Sequence, residues 1–435
     1  MSKAFANSNI SRREFLATAA VAVPGASALA KPPGTERRGL HVYDDLMSDF
    51  MAEHKPPGAA LAVARNGRLV YAKGFGYADL ATKEPVKPES LFRIASISKP
   101  LTSAAIFRLA EGDRLSLNDP VLKYVRLEPV LAAGTSLDPR LRSVRIRHCL
   151  QHTGGWDWKK SFEPMSGQTA KEIARRLHID VPIKAEQIIR YTLGKPLDFD
   201  PGIKMVYSNF GYCLLGRVIE AVSGQSYESY VTSEVLEPLG IYRMHIGKST
   251  LRGRRTGEVV CYDSKKRIGP VVCGIPVGVE APFPYAIELM EPNDSACGWI
   301  GSVVDLVRFG VAFDVYYNCT LLNPQSVRTM LARPDGPPGR EADGKPKSTY
   351  YACGWDVQPA DVAGKLTKWH LGKLSGTCGL LVCRADRIDW AALFNSDGDT
   401  ESRNFAERLD PLLYHAADSV RNWPRIDLFD KYYSH

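Results

Sequence analysis

This chain of 435 residues has no long run of one charge, no paired-cysteine spacing and, beyond residue 30, no apolar run long enough to cross a bilayer. The net charge of +8 is spread along the chain, and the densest basic cluster is Arg252-Gly253-Arg254-Arg255. Nucleic-acid binding therefore gains little support. Nine cysteines are present, an odd number with no C-x-x-C pair and no regular framework. At least one is unpaired or bonded between chains, and most read as small buried hydrophobes. No His/Cys cluster has metal-ligand spacing, so no metal or other cofactor is expected. Internal repeats and low-complexity tracts are also missing. What remains is an ordinary globular composition, 44% hydrophobic and 24% charged, on a length sufficient for one large domain or two interlocked ones.

The first thirty residues stand apart. Arg12-Arg13 precedes Glu14-Phe15-Leu16 and an Ala-rich apolar stretch from Ala17 to Ala30, ending in the small-x-small form Ala28-Leu29-Ala30. The stretch is too short and too weakly apolar for a comfortable span. It resembles a twin-arginine export signal, which implies an exported, periplasmic or extracellular protein with no stable membrane span after cleavage. Residues 31–41 read as a linker and 422–435 as a C-terminal tail.

Between them, residues 42–421 read as one domain. Leu46, Met47, Phe50 and Met51 have helical spacing over Val42 to Glu53. Asn66-Gly67 separates the apolar runs Ala59–Ala64 and Leu69–Ala72, a strong hairpin signal because both residues tolerate positive φ. A helix is expected from Ser96 to Glu111, stopped by Gly112. Residues 115–245 read as a mostly helical insertion, with helices at Gly211–Val222 and Tyr227–Leu239. Another helix is expected over Asp305–Phe313. Residues 246–295, rich in Gly, Pro and Val, have no assignable role. Three strand runs follow, Lys368–Leu371, Thr377–Cys383 and Ile388–Asn395, and a closing helix over Asp410–Arg421. The expected fold is α/β of the α+β type: one antiparallel sheet built from an N-terminal hairpin and a C-terminal meander, flanked by helices.

Ser96-Ile97-Ser98-Lys99 is the only S-x-x-K in the chain. A serine hydroxyl needs a base to take its proton. Helix positions three apart are neighbours, about 5–6 Å between Cβ atoms, so Lys99 can lie beside Ser96. Pro100 fits only in a first turn, which places Ser96 at the helix N-terminus. There the helix dipole and burial disfavour a charged Lys99, and free N–H groups can hold an oxyanion.

The run from Phe92 through "FRIASISKPLTSAAIFRLAEGDRLSLNDPV" resembles the active-site helix of the serine β-lactamase and penicillin-binding-protein superfamily. It is most similar to the branch holding class C β-lactamases, D,D-peptidases, D-aminopeptidases and related esterases. That branch has a second element, Y-x-N. Tyr207-Ser208-Asn209, between Pro201-Gly202 and Gly211-Tyr212, matches it with its flanks. Tyr316-Tyr317-Asn318 matches in letters only and reads as a helix-end cap. Residues two apart in an extended segment share a side, so Tyr207 and Asn209 can both face the serine. The third element, H-x-G, occurs at His152, His245 and His370; only His370 comes late and opens a strand meander. Gly372 would let a substrate backbone approach, and the Lys373 N–H would pair with that of Ser96 as an oxyanion donor. His370 would offer an N–H and a partial charge near neutral pH. His148–Gly155 resembles a structural loop near the tyrosine, and Ala296–Ser302 a segment lining the cleft.

The resemblance covers about residues 43–415. It implies a serine hydrolase cleaving an ester, amide or lactam carbonyl through a Ser96 acyl-enzyme, with Lys99 and Tyr207 as general base. The implied substrate is a small molecule or a cell-wall-derived ester or amide. Leu371 stands where many relatives carry threonine, and no residue matches the deacylating glutamate of class A lactamases. Esterase or amidase activity therefore fits better than lactam hydrolysis, although the Lys373 side chain could restore a charge. A penicillin-binding or scaffold protein with little turnover is the competing reading.

Overall fold

The computed structural model describes residues 39–433 except 275, 315–317, 363 and 402. The segment expected to be an export signal, most of the expected linker and the tyrosines of the second Y-x-N match lie outside the described residues. Eight strands form the main antiparallel sheet: β1 (Gly58–Arg65), β2 (Arg68–Asp79), β3 (Glu84–Pro85), β4 (Tyr350–Tyr351), β5 (Asp356–Pro359), β6 (Leu366–Leu374), β7 (Thr377–Cys383) and β8 (Ile388–Phe394). Their spatial order is β3-β2-β1-β8-β7-β6-β5-β4. The two ends of the chain therefore meet in mid-sheet, where β1 pairs with β8 from Ala59↔Phe394 to Arg65↔Ile388. The β1–β2 turn is made by Asn66 (φ 53°) and Gly67 (φ 81°), the two positive φ values that a tight hairpin of this twist needs.

Both faces of this sheet are covered, which explains why its central strands are apolar without alternation. On one face Ala60, Ala62, Leu381, Ala391 and Leu393 join the larger core. On the other, Leu61, Val63, Leu380, Val382, Trp390 and Phe394 join a second core with Tyr43, Phe50 and Leu409. Helix α1 (His41–His54) lies on this second face. Helix α2 (Ser98–Glu111) runs through the larger core, with its residues from Ser98 to Phe107 all buried. It packs on α3 (Asn209–Ser223), α4 (Asp294–Cys297) and the turn before it; α5 (Val303–Val311) covers β1 and β8. Helix α6 (Phe405–Ser419) closes the second face against α1 and β7.

Several boundaries move. The α-helix starts at Ser98, not Ser96, because Ala95–Ile97 forms a 3₁₀ turn ahead of it. The expected helix over Tyr227–Leu239 is broken into α-helical, π-helical and 3₁₀ turns. The closing helix begins at Phe405, capped by the Asn404 side chain on the Ala406 N–H, and carries Pro411 in its interior. The tail is docked: Leu428 N–H bonds the Leu69 carbonyl, and α7 (Phe429–Tyr433) sets the Tyr433 hydroxyl 2.5 Å from Asp305.

Residues 246–295 acquire a position. They form short extended pieces, including the paired strands Ile268–Pro270 and Glu280–Pro282, beside the chain entering α2. The fully buried Arg93 ties them there. Its guanidinium donates to the carbonyls of Pro284 (2.7 Å), Lys248 (2.8 Å) and Ser249 (3.2 Å), and lies over the Tyr285 ring. Five N–H donors in a rigid fork suit one residue to gather several backbone acceptors.

Candidate active site

The turn before α2 is built around a strained residue. Ala95 has φ 50°, a left-handed conformation that costs a residue with a Cβ about 1 kcal/mol or more. The chain is held in it from several sides. Ile94 N–H bonds the Trp299 carbonyl at 3.0 Å, and the Ser98 hydroxyl bonds the Ala95 carbonyl at 2.7 Å. Thr377 Oγ1 donates to the Arg93 carbonyl at 2.9 Å. The result turns one side chain outward: from Ser90 to Phe107 every residue is buried except Ser96, which is half-buried.

Lys99 sits below it, wholly buried. Its Nζ lies 3.0 Å from Ser96 Oγ, 2.9 Å from Asn209 Oδ1 and 3.0 Å from the Ala296 carbonyl oxygen. The last two are acceptors only. They take the two N–H bonds of a neutral amine and leave its lone pair for the serine O–H. Burial lowers the Lys99 pKa, opposed in part by Cys297 and Glu163. The amine also lies 4.7 Å from the centroid of the Tyr207 ring.

Tyr207 and Asn209 arrive together because Ser208 between them is extended (φ −141°, ψ 117°). Ser208 is also the N-cap of α3, its hydroxyl accepting from the Gly211 N–H at 3.4 Å, so Asn209 opens a helix rather than continuing a strand. His152 supports this corner. Its Nδ1 accepts the Ser208 N–H at 3.2 Å and its ring lies 4.1 Å from that of Tyr207. The Tyr207 phenol is pushed well above the ordinary tyrosine pKa, chiefly by burial, with the Ser96 hydroxyl acting in the lowering direction. It is therefore protonated at neutral pH.

Two expectations for β6, the charge on His370 and that on Lys373, need correction. His370 does not carry a partial charge: burial, then the nearby Lys99, lowers its pKa to about 3. Its Nδ1–H donates to the Leu371 carbonyl at 2.7 Å, which leaves Nε2 to accept from the Tyr351 hydroxyl at 3.0 Å. Gly372 is required by the protein itself: a Cβ there would stand 2.3 Å from the Ile94 carbonyl oxygen and 3.3 Å from the Ala95 Cβ. Strand alternation then points Lys373 to the opposite face, where it pairs in register with Cys378 and its charge partly opposes the rise that burial gives the Glu407 pKa on α6. The Lys373 side chain thus supplies no charge on the serine's side of the sheet, while its main chain follows Gly372 past the Ser96 turn. Leu371 likewise packs with the second core.

One contact was not singled out from sequence. Cys297, at the end of α4, has its Sγ 3.6 Å from Ser96 Oγ, 3.7 Å from Lys99 Nζ and 3.6 Å from Asn209 Oδ1. The only signal for it was its place in Ala296–Ser302. All nine cysteines are free thiols.

The family model described as Beta-lactamase matches residues 43–414. Protein flp of Staphylococcus aureus strain COL is 33% identical over 196 residues, which are 45% of this chain and 36% of that protein. The chain thus matches only about a third of that curated relative's length. The octameric penicillin-binding protein homologue from Pyrococcus abyssi superposes with a TM-score of 0.62 at 27% identity, covering 86% of this chain and 76% of the other. The D-amino acid amidase from Ochrobactrum anthropi SV3, solved with L-phenylalanine, shares the fold with a TM-score of 0.65 at 19% identity, over 88% and 99% of the two chains.

Proposed function

This chain belongs to the beta-lactamase family, within the superfamily of serine β-lactamases and penicillin-binding proteins, and we propose that it hydrolyses an ester, amide or lactam carbonyl through an acyl-enzyme on Ser96. The observation that carries this reading is the half-buried Ser96 hydroxyl 3.0 Å above a buried amine in a segment otherwise closed to solvent. In the first step the Lys99 lone pair takes the Ser96 proton as Oγ attacks the carbonyl carbon. The N–H groups of Ser96 and Lys373 would hold the oxyanion. The protonated Tyr207 phenol would hand a proton to the leaving group, and the resulting phenolate would activate the water that frees the acyl group. Asn209 would orient Lys99 and the substrate amide.

The corrected strand edge narrows the substrate. With His370 neutral, Leu371 apolar and the Lys373 ammonium on the far face, little on β6 would bind a carboxylate. An ester or amide of low negative charge fits better than a lactam acid. The substrate would be a small molecule or a cell-wall fragment, met outside the cytoplasm if residues 1–30 act as the export signal they resemble. Hydrolysis of a short-chain 4-nitrophenyl ester tests the reading. Ser96→Ala is expected to abolish turnover with thermal unfolding unchanged, and Lys99→Met to cost nearly as much. Full activity in Ser96→Ala would refute the proposal. Stoichiometric acylation of Ser96 without turnover would favour the penicillin-binding alternative.

A further inference from the structure

Three polar atoms converge on the Cys297 sulfur: Ser96 Oγ, Lys99 Nζ and Asn209 Oδ1, all within 3.7 Å. A buried water needs about two to four polar partners. The place the sulfur fills is therefore one that a water molecule would satisfy well. A thiol is a weak donor and a weak acceptor, and contacts at these distances are those of packing as much as of hydrogen bonding. Cys297 is itself buried, at 3% exposure, so it closes the place as well as fills it.

We propose that Cys297 is a positioning residue for the hydrolytic base: its sulfur takes the place of a water beside Lys99 and keeps the amine dry and aimed at Ser96. The inference rests on the hydrolase reading of the site. A water there would solvate the ammonium form directly and leave fewer amines free to accept a proton. The other groups facing Lys99 do not do this job. Tyr207 and Tyr212 present ring faces, at 4.7 and 5.5 Å, which favour the cation. Glu163, on the segment before residues 167–177, also favours it, whereas His152 and His370 are neutral through burial. Cys297 also acts toward the cation, yet as a weak hydrogen-bonding atom in contact with the amine it does so less than a water in its place would.

The test is the pH dependence of kcat/KM for 4-nitrophenyl acetate in the full chain. Cys297→Ala vacates the sulfur's position, and Cys297→Ser puts a strong hydrogen-bonding atom there. Both are expected to move the acid limb upward by about one pH unit, a tenfold loss of rate on that limb. Cys297→Val, which refills the space with carbon, is expected not to raise the limb above the wild type. A purely structural role would lower kcat in all three with the limb unmoved, and that outcome overturns the proposal. Should the alanine variant fail to fold, the serine variant, one atom different from wild type, carries the same test. Ser96→Ala run alongside separates the two readings. Turnover in that variant sinks the hydrolase assignment, whereas an inactive Ser96→Ala with unmoved limbs at position 297 sinks only this one.

Discussion

Lys99 and His370 carry basic side chains in the same buried corner, and both are pushed toward the neutral form for the same reason. Burial removes the hydration that a cation depends on, and His370 is further disfavoured by a charge on Lys99. The consequence is visible in titration. The pH profile of kcat/KM should show an acid limb belonging to Lys99 and no histidine inflection near pH 6.5. In an NMR titration the His370 ring should stay neutral from pH 8 to 4, since its pKa is lowered to about 3. A protonated His370 at pH 6 would contradict the bond from the Tyr351 hydroxyl, which needs a free lone pair on Nε2. Sequence could place these side chains but not set their charge. S-x-x-K, Y-x-N and the late H-x-G brought Ser96, Lys99, Tyr207, Asn209 and His370 to one place. The depth of His370, the left-handed φ of Ala95 and the contact of Cys297 depend on neighbours far away in the chain.

At the level of elements, the working part is the 3₁₀ turn Ala95–Ile97, pressed between β6 and the Trp299 strand. Gly372 is where β6 touches it. Adding a methyl group in Gly372→Ala demands a shift of more than half an ångström from the Ile94 carbonyl, because the Cβ would stand 2.3 Å away. Misplacing a nucleophile by about 1 Å can cost about 100-fold in rate. Gly372→Ala is therefore expected to lose about that much kcat/KM in ester hydrolysis while circular dichroism stays native. A variant as active as wild type would show that the turn is free to move. The strands were readable because apolar runs and the Asn66-Gly67 turn are local signals. The excursion at 246–295 was not, because its order comes from Arg93, a residue more than 150 positions earlier that collects its carbonyls. Tyr227–Leu239 has helical periodicity, yet Pro238 and the packing of Val235 and Leu236 divide it.

For the molecule as a whole, three histidines held neutral weigh against stability in acid, while buried carboxyls such as Asp389 and Glu163, raised chiefly by burial, pull the other way. His370 is lowered to about 3, His148 to about 4 and His152 well below its ordinary value, in each case mainly by burial. The unfolded chain binds protons at these groups near pH 6.5 and the folded chain does not, so stability is present above that pH and is lost as pH falls toward 4. Each fully buried group contributes a slope of about 1.4 kcal/mol per pH unit within its window; the half-buried His148 contributes less. In thermal unfolding the difference in Tm between pH 7 and pH 4.5 is expected to shift in favour of acid when His152 is replaced with glutamine. A wild-type pH dependence of Tm in that variant would refute the account. The overall architecture was legible because hairpin and meander patterns sit at opposite ends of the chain; the docking of the tail through Tyr433 on Asp305 was not.

The pairing of β1 with β8 carries a consequence for how the protein is made. The serine is synthesised early, but the strand edge that holds its turn in place arrives 276 residues later, between residues 96 and 372. Until β6 to β8 have left the ribosome, β1 has β2 as its one sheet neighbour and the turn lacks its support from β6. The turn before α2 thus stays unbraced on this side until residue 372 has been made.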